Sequence, residues 1–142
     1  MKLIKAVIDT NVVVSAFLSR RGVSNALLAA AARGDFSMLA SPPVFLEYEE
    51  VLKRPEHQLG TGLSLTQIDR ILSDIAAIIM PVKVRFLWRP QLHDPDDEMV
   101  LEAAINGAAD CIVTYNTKDF TISKRFGVTV MTPEKFMEKL GQ

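Results

Sequence analysis

Leu3-Ile4-Lys5-Ala6-Val7-Ile8-Asp9 is a short apolar run rich in β-branched residues that stops on an acid. Such a run reads as a strand buried on both faces. Val12–Leu18 stays apolar and turns helical before the break at Ser19-Arg20-Arg21-Gly22. Ser24 is placed to cap a helix over Asn25–Arg33, with Gly34 just beyond its end. Phe36–Ala40 is a second strand, and Ser41-Pro42-Pro43 opens a helix to about Lys53 through an N-cap and first-turn prolines. Arg54-Pro55 ends that helix, and Gly60-Thr61-Gly62 reads as a loop. Ser64 and Gln67 form a capping box for a helix to about Ile79. Pro81–Phe86 is a third strand candidate, and Asp94–Asp97 begins a helix that ends near Asn106-Gly107. Cys111–Tyr115 and Val128–Met131 complete the strands, and Thr132-Pro133 starts a closing helix to Leu140.

Strands separated by helices pair in parallel through right-handed crossovers. The expected fold is therefore α/β, a three-layer α/β/α sandwich around a parallel sheet of about five strands. The whole chain, residues 1–142, reads as a single domain, without repeats or linker-like composition. Hydrophobic types make up 49% and charged types 23%, which excludes a disordered chain. No apolar stretch approaches the roughly 20 residues of a membrane span, and no secretory signal is expected, which points to the cytoplasm. The lone Cys111 forms no internal disulfide and no multi-cysteine zinc site, and reads as a buried strand thiol.

In open parallel sheets, sites form beyond the carboxyl ends of the strands. Asp9 closes the first strand, Glu47 lies in the helix after the second, Asp94, Asp96 and Asp97 open the helix after the third, and Asp119 follows the fourth. Any one of them is explained by helix capping or by the helix dipole. Together at one sheet edge they repel, and stay ionised only beside a cation. Oxygen donors without a histidine or cysteine cluster favour Mg²⁺ or Mn²⁺ over zinc.

These residues also carry a resemblance. Val7-Ile8-Asp9-Thr10-Asn11-Val12, followed by Ala16-Phe17-Leu18, is similar to the opening motif of PIN-domain ribonucleases. Glu47 within Ser41–Tyr48 matches the second acid of that family, the block Asp94–Ala104 matches the third with Asp97 before the helix, and Ala108–Phe120 matches the fourth. The stretch Glu47–Pro55 further resembles a bacterial and archaeal branch described as toxins of toxin–antitoxin systems, the VapC-like proteins. The resemblance implies a metal-dependent endoribonuclease. Asp9, Asp97 and Asp119 would hold Mg²⁺ or Mn²⁺, Glu47 would orient or deprotonate water, and Asp94 is either a further pocket acid or an N-cap. Many members carry an aspartate where this chain has Asn116, so Asp119, with Asn116, becomes the candidate for the fourth position. Thr10, Asn11 and Thr114 would fix carboxylate rotamers. A homodimer or higher homo-oligomer and a cognate antitoxin are implied as well.

The chain holds sixteen basic and seventeen acidic residues, a net charge of −1. Without Asp9, Glu47, Asp94, Asp97 and Asp119 the balance becomes +4, a rim suited to an RNA backbone. Arg20, Arg21, Lys118, Lys124 and Arg125 are the expected RNA-binding residues of that rim, although an ordinary solvated surface is the simpler account of them. Phe86 and Trp88 are able to stack on bases. His93 beside Asp94 needs no function, and His57 ranks lower still. The rival reading is a catalytically weak or inactive binding module for RNA or protein, which Asn116 alone favours. A DNA-cleaving nuclease or another α/β phosphohydrolase is the enzymatic rival.

Overall fold

In the computed structural model, which describes residues 2–85, 92 and 94–141, the apolar opening run becomes β1, Lys5–Ile8, its last three residues buried. Asp9 turns the chain directly into α1 (Thr10–Leu18), and α2 (Val23–Arg33) returns it to β2 (Ser37–Ala40). Three helices, α3 (Pro42–Leu52), α4 (Pro55–Thr61) and α5 (Leu65–Ile78), precede the short β3 (Met80–Pro81). α6 (Pro95–Asn106) leads to β4 (Cys111–Val113), a 3-10 segment spans Thr117–Phe126, and β5 (Thr129–Met131) and α7 (Pro133–Leu140) complete the fold. The sheet order is β3-β2-β1-β4-β5, every pairing is parallel, and helices flank it as expected.

The central strands fill the core. β1, β2 and β4 are almost wholly buried, with Tyr48, Phe36, Phe120 and Phe136 the bulkiest enclosed side chains among the described residues. Phe36 and Phe136 meet edge to face at 4.8 Å, which packs α7 against the start of β2. Gly107 is required by close approach: a Cβ there would come within 2.8 Å of Val82 Cγ2 and 3.0 Å of Leu39 Cδ1. Cys111 is buried in β4, and loss of water pushes its thiol up to about 12, so it is an inert packing group.

Four local expectations are corrected. Gly22, not Ser24, occupies the N-cap of α2; the Ser24 hydroxyl is instead drawn to the Tyr115 hydroxyl, 2.5 Å away. Pro55 does not merely end α3 but starts α4 from the first helical position, where its missing N–H costs nothing. β3 is shorter than Pro81–Phe86, because β2 ends at Ala40 and leaves no further partner. The Arg85 amide turns instead to Asn106 Oδ1 at 2.9 Å, and Phe86 lies outside the described residues. The edge strands β3 and β5 are also not buried on both faces as the central ones are. The capping box of α5 and the first-turn prolines of α3 and α7 form as read, with Ser64 and Gln67 satisfying each other's backbone amides.

Candidate active site

β1 and β4 lie side by side, although the chain runs outward from β1 through β2 and β3 before it reaches β4. At such a reversal the loops leaving the two strands part to opposite faces and open a crevice. Ile8 and Val113 are the last paired residues, so Asp9 and Thr114 project at its mouth. The Asp9 amide donates to the Val113 carbonyl at 2.9 Å. Its Oδ2 accepts from the Thr114 hydroxyl at 2.7 Å, and its Oδ1 accepts from the Thr10 amide at 2.8 Å, capping α1. Thr114 Oγ1 in turn accepts from the Asn116 amide at 3.0 Å, which folds the loop after β4 back over the site.

Glu47 is held by its neighbour. The ring of Tyr48 is fully buried, and its hydroxyl donates to the carbonyl of Ile8, the last residue of β1. That bond pins the second turn of α3 to the strand end that presents Asp9. Asp94 caps α6 by accepting from the Asp96 amide at 2.9 Å, and Asp97 lies in the same first turn. A hollow of about 310 Å³ is lined by Asp9, Thr10, Asn11, Glu47, Asp94, Asp96, Asp97 and Asn116, with Arg54 and His57 on the α3–α4 side. An adjoining hollow shares Asp94 and Asp97 and adds Lys118 and Asp119.

The electrostatics follow from crowding. Asp9 is raised, first by burial and then by the charges of Asp94 and Asp119, against the hydrogen bonds from Thr114 and Thr10 that lower it. Burial and the fields of Asp96, Asp9 and Asp94 push Glu47 up to about 7. Asp97 also reaches about 7, through burial and then Asp9, Asp94, Asp119 and Asp96. Each acid therefore feels charges from two or three other segments of the chain. A cation placed among them would remove that penalty.

The donors fit a hard divalent ion. All the acidic groups are carboxylates, and the buried Thr10 hydroxyl, beside Asp9, has no hydrogen-bond partner among the described residues. An enclosed hydroxyl without a partner is costly unless water or a hydrated ion reaches it. Among the described residues no three His, Cys, Asp or Glu side chains are gathered tightly enough to cage a metal by themselves. Mg²⁺, which takes one or two carboxylates and keeps several waters, does not require such a cage.

The fold thus brings Asp9, Thr10, Asn11, Glu47, Asp94, Asp97 and Asn116 to one hollow, and Lys118 and Asp119 to its neighbour. Asp94 is both a pocket acid and an N-cap. Arg20 and Arg21 are exposed in the turn after Leu18, which lines the hollow. Lys124 and Arg125 are carried elsewhere. They end the 3-10 segment beside the start of β5, where Val128 bonds Ser123 and Thr129 bonds Asp110, at the amino edge of the sheet. Phe86, Trp88 and His93 lie outside the described residues. Sequence reasoning missed Arg54 and discounted His57; both reach the hollow because α4 folds back against α1, with Gly60 close to Leu18.

The PIN-domain model matches residues 5–118, from the first residue of β1 to the loop after β4. The chain belongs to the PIN-domain family. Members of that family are in general nucleases, and Asp119 lies one residue beyond the matched region. No curated protein matches this PIN domain. Among solved structures it is similar to a chain of VapBC2 from Rickettsia felis bound to a DNA fragment from their promoter, at a TM-score of 0.63 and 15% identity, covering 91% of this chain and 98% of that one. A chain of FitAB bound to the IR36 DNA fragment has a TM-score of 0.56 and 17% identity, covering 90% and 94%. At these identities the likeness is one of fold. Among the described residues no helix is long and apolar enough to cross a membrane.

Proposed function

We propose that this PIN domain is a Mg²⁺- or Mn²⁺-dependent endoribonuclease and the toxin of a toxin–antitoxin pair. The observation that carries the reading is the convergence of Asp9, Glu47, Asp94 and Asp97 on one hollow at the reversal of the sheet. Asp9 and Asp97, with Asp119 from the adjoining hollow, are the residues to hold the ion. When bound, it supplies Lewis-acid polarisation of the phosphoryl oxygens and neutralises the charge that develops there. Glu47 lines the same hollow and is the candidate general base for the attacking water. It takes the proton of the attacking water as the new phosphorus–oxygen bond forms and the bond to the leaving ribose oxygen breaks, and that oxygen takes a proton from solvent water as it departs. Asn116 offers an amide without charge, so the acid count rests on Asp119.

The resemblance of Glu47–Pro55 to toxin sequences and the fold shared with chains of DNA-bound VapBC2 and FitAB complexes support an antitoxin partner. A homodimer or higher homo-oligomer in the cytoplasm completes the proposal. The test is cleavage of labelled RNA by the purified chain with Mg²⁺ or Mn²⁺. Activity is expected to vanish with EDTA and in Asp9→Asn. Undiminished cleavage in either case removes the metal-site mechanism, and cleavage of DNA alone would move the substrate class.

A further inference from the structure

The wall of the hollow formed by the α3–α4 turn differs chemically from the rest. Among the described lining residues Arg54 is the only fixed positive charge, and His57 the only imidazole. Arg54 is exposed, and within the described residues its guanidinium meets only Glu50 Oε1, at 3.4 Å across one helical turn. Such exposed pairs are worth little and yield readily to a better partner. His57 is half-buried, and its Nδ1 lies 2.7 Å from the Val51 carbonyl. A carbonyl only accepts, so Nδ1 carries the proton. His57 lines the hollow, and its second ring nitrogen, Nε2, is an acceptor in the neutral ring.

A nucleic acid strand laid over this hollow meets five carboxylates, from Asp9, Glu47, Asp94, Asp96 and Asp97. Cations held there screen the phosphate being cut, but the phosphate beside it still needs a donor. A guanidinium fork suits that phosphate better than any other side chain. One residue turn along α4, an acceptor nitrogen is matched to a donor on the same strand, and the 2′-hydroxyl is the donor that RNA has and DNA lacks.

We propose that Arg54 and His57 form a strand-recognition subsite, in which Arg54 binds the phosphate neighbouring the scissile one and His57 Nε2 accepts from a ribose 2′-hydroxyl. This rests on the nuclease reading above and adds how RNA would be distinguished from DNA.

The experiment is fluorescence anisotropy of a labelled single-stranded RNA and the DNA of the same sequence, with Ca²⁺ in place of Mg²⁺ so that binding is read apart from turnover. Arg54→Gln is expected to weaken RNA binding about tenfold and to flatten the dependence of log affinity on log salt by about 0.7, one phosphate contact to a single strand. The unmodified protein is expected to favour RNA over DNA by about threefold to tenfold, the worth of one hydrogen bond. In His57→Asn that preference disappears, because the shorter amide keeps the bond to Val51 and lacks the outer nitrogen. An unchanged salt slope in Arg54→Gln overturns the phosphate contact. A preference that survives in His57→Asn, or is absent from the unmodified protein, overturns the hydroxyl contact. Either result, obtained alongside Mg²⁺-dependent RNA cleavage by the same sample, leaves the nuclease reading standing; no RNA binding and no RNA cleavage by the unmodified protein removes both.

Discussion

Replacing Asp97 with asparagine is expected to make the metal-free protein more stable while abolishing its activity. The carboxyl rises from 3.8 to about 7 on folding, so the unfolded chain releases its proton first as pH increases. The folded state therefore loses stability progressively between about pH 4 and pH 7. Three pK units correspond to about 4 kcal/mol as a ceiling, at about 1.4 kcal/mol each. Asp97 is only half-buried, so solvent screening cuts that to about 1–2 kcal/mol. One opposing effect must be subtracted: an acid in the first turn of α6 gains about 0.5 kcal/mol from the helix N-terminus, which asparagine forgoes. The net gain is about 1 kcal/mol at pH 8, or a few degrees in melting temperature. The assay is thermal and urea unfolding in EDTA at pH 8 and again at pH 4.5. The gain should shrink at the lower pH, where Asp97 is already protonated in the folded protein. A variant less stable than the parent at pH 8, or a gain of the same size at pH 4.5, refutes the account of repelling carboxylates.

Thr114→Val removes the donor to Asp9 Oδ2 and the acceptor for the Asn116 amide. Cleavage should fall about 10- to 100-fold, and Mn²⁺ affinity, read by calorimetry, should fall with it. Tyr48→Phe deletes the hydroxyl that ties α3 to the Ile8 carbonyl; about 1 kcal/mol of stability is expected to go, measured by urea unfolding, together with turnover as Glu47 loses its register to Asp9. Gly107→Ala drives a methyl against Val82 and Leu39 and should cost about 1–3 kcal/mol in the same unfolding assay, with no change in the metal dependence of cleavage.

The central strands were readable because β1, β2 and β4 are enclosed, which leaves apolar runs with nothing polar to interrupt them. Asp9, Asp94 and Asp97 were readable because strand ends and helix starts have local signatures, and the parallel-sheet rule converts those into positions at one edge. Glu47 needed more, since nothing near it in sequence states that Tyr48 will be pulled under the sheet by the Ile8 carbonyl. The contribution of α4 was illegible for a different reason. Pro55 is a breaker when read forward from α3 and an initiator when read into α4, and only tertiary packing decides. Arg54 and His57 owe their place in the hollow to that packing. The 3-10 segment Thr117–Phe126 lacks a helical period and bends at Phe120, so charges adjacent in sequence to Asp119 could not be assigned to an edge of the sheet. Lys118 stays with the acids while Lys124 and Arg125 leave them.

Asp9 has two occupations that a mutagenesis plan must separate. Its Oδ1 completes the first turn of α1 while Oδ2 is fixed by Thr114, so an alanine would loosen the helix start and empty the pocket at the same time. Asparagine retains an oxygen for the helix; it gives up the charge, and its NH2 replaces the oxygen that accepts from Thr114, so that hydroxyl must turn to accept instead. Anyone seeking a silenced copy that still captures its natural target or inhibitor from cells should begin with that amide, since what it retrieves reflects the native surface rather than a damaged one.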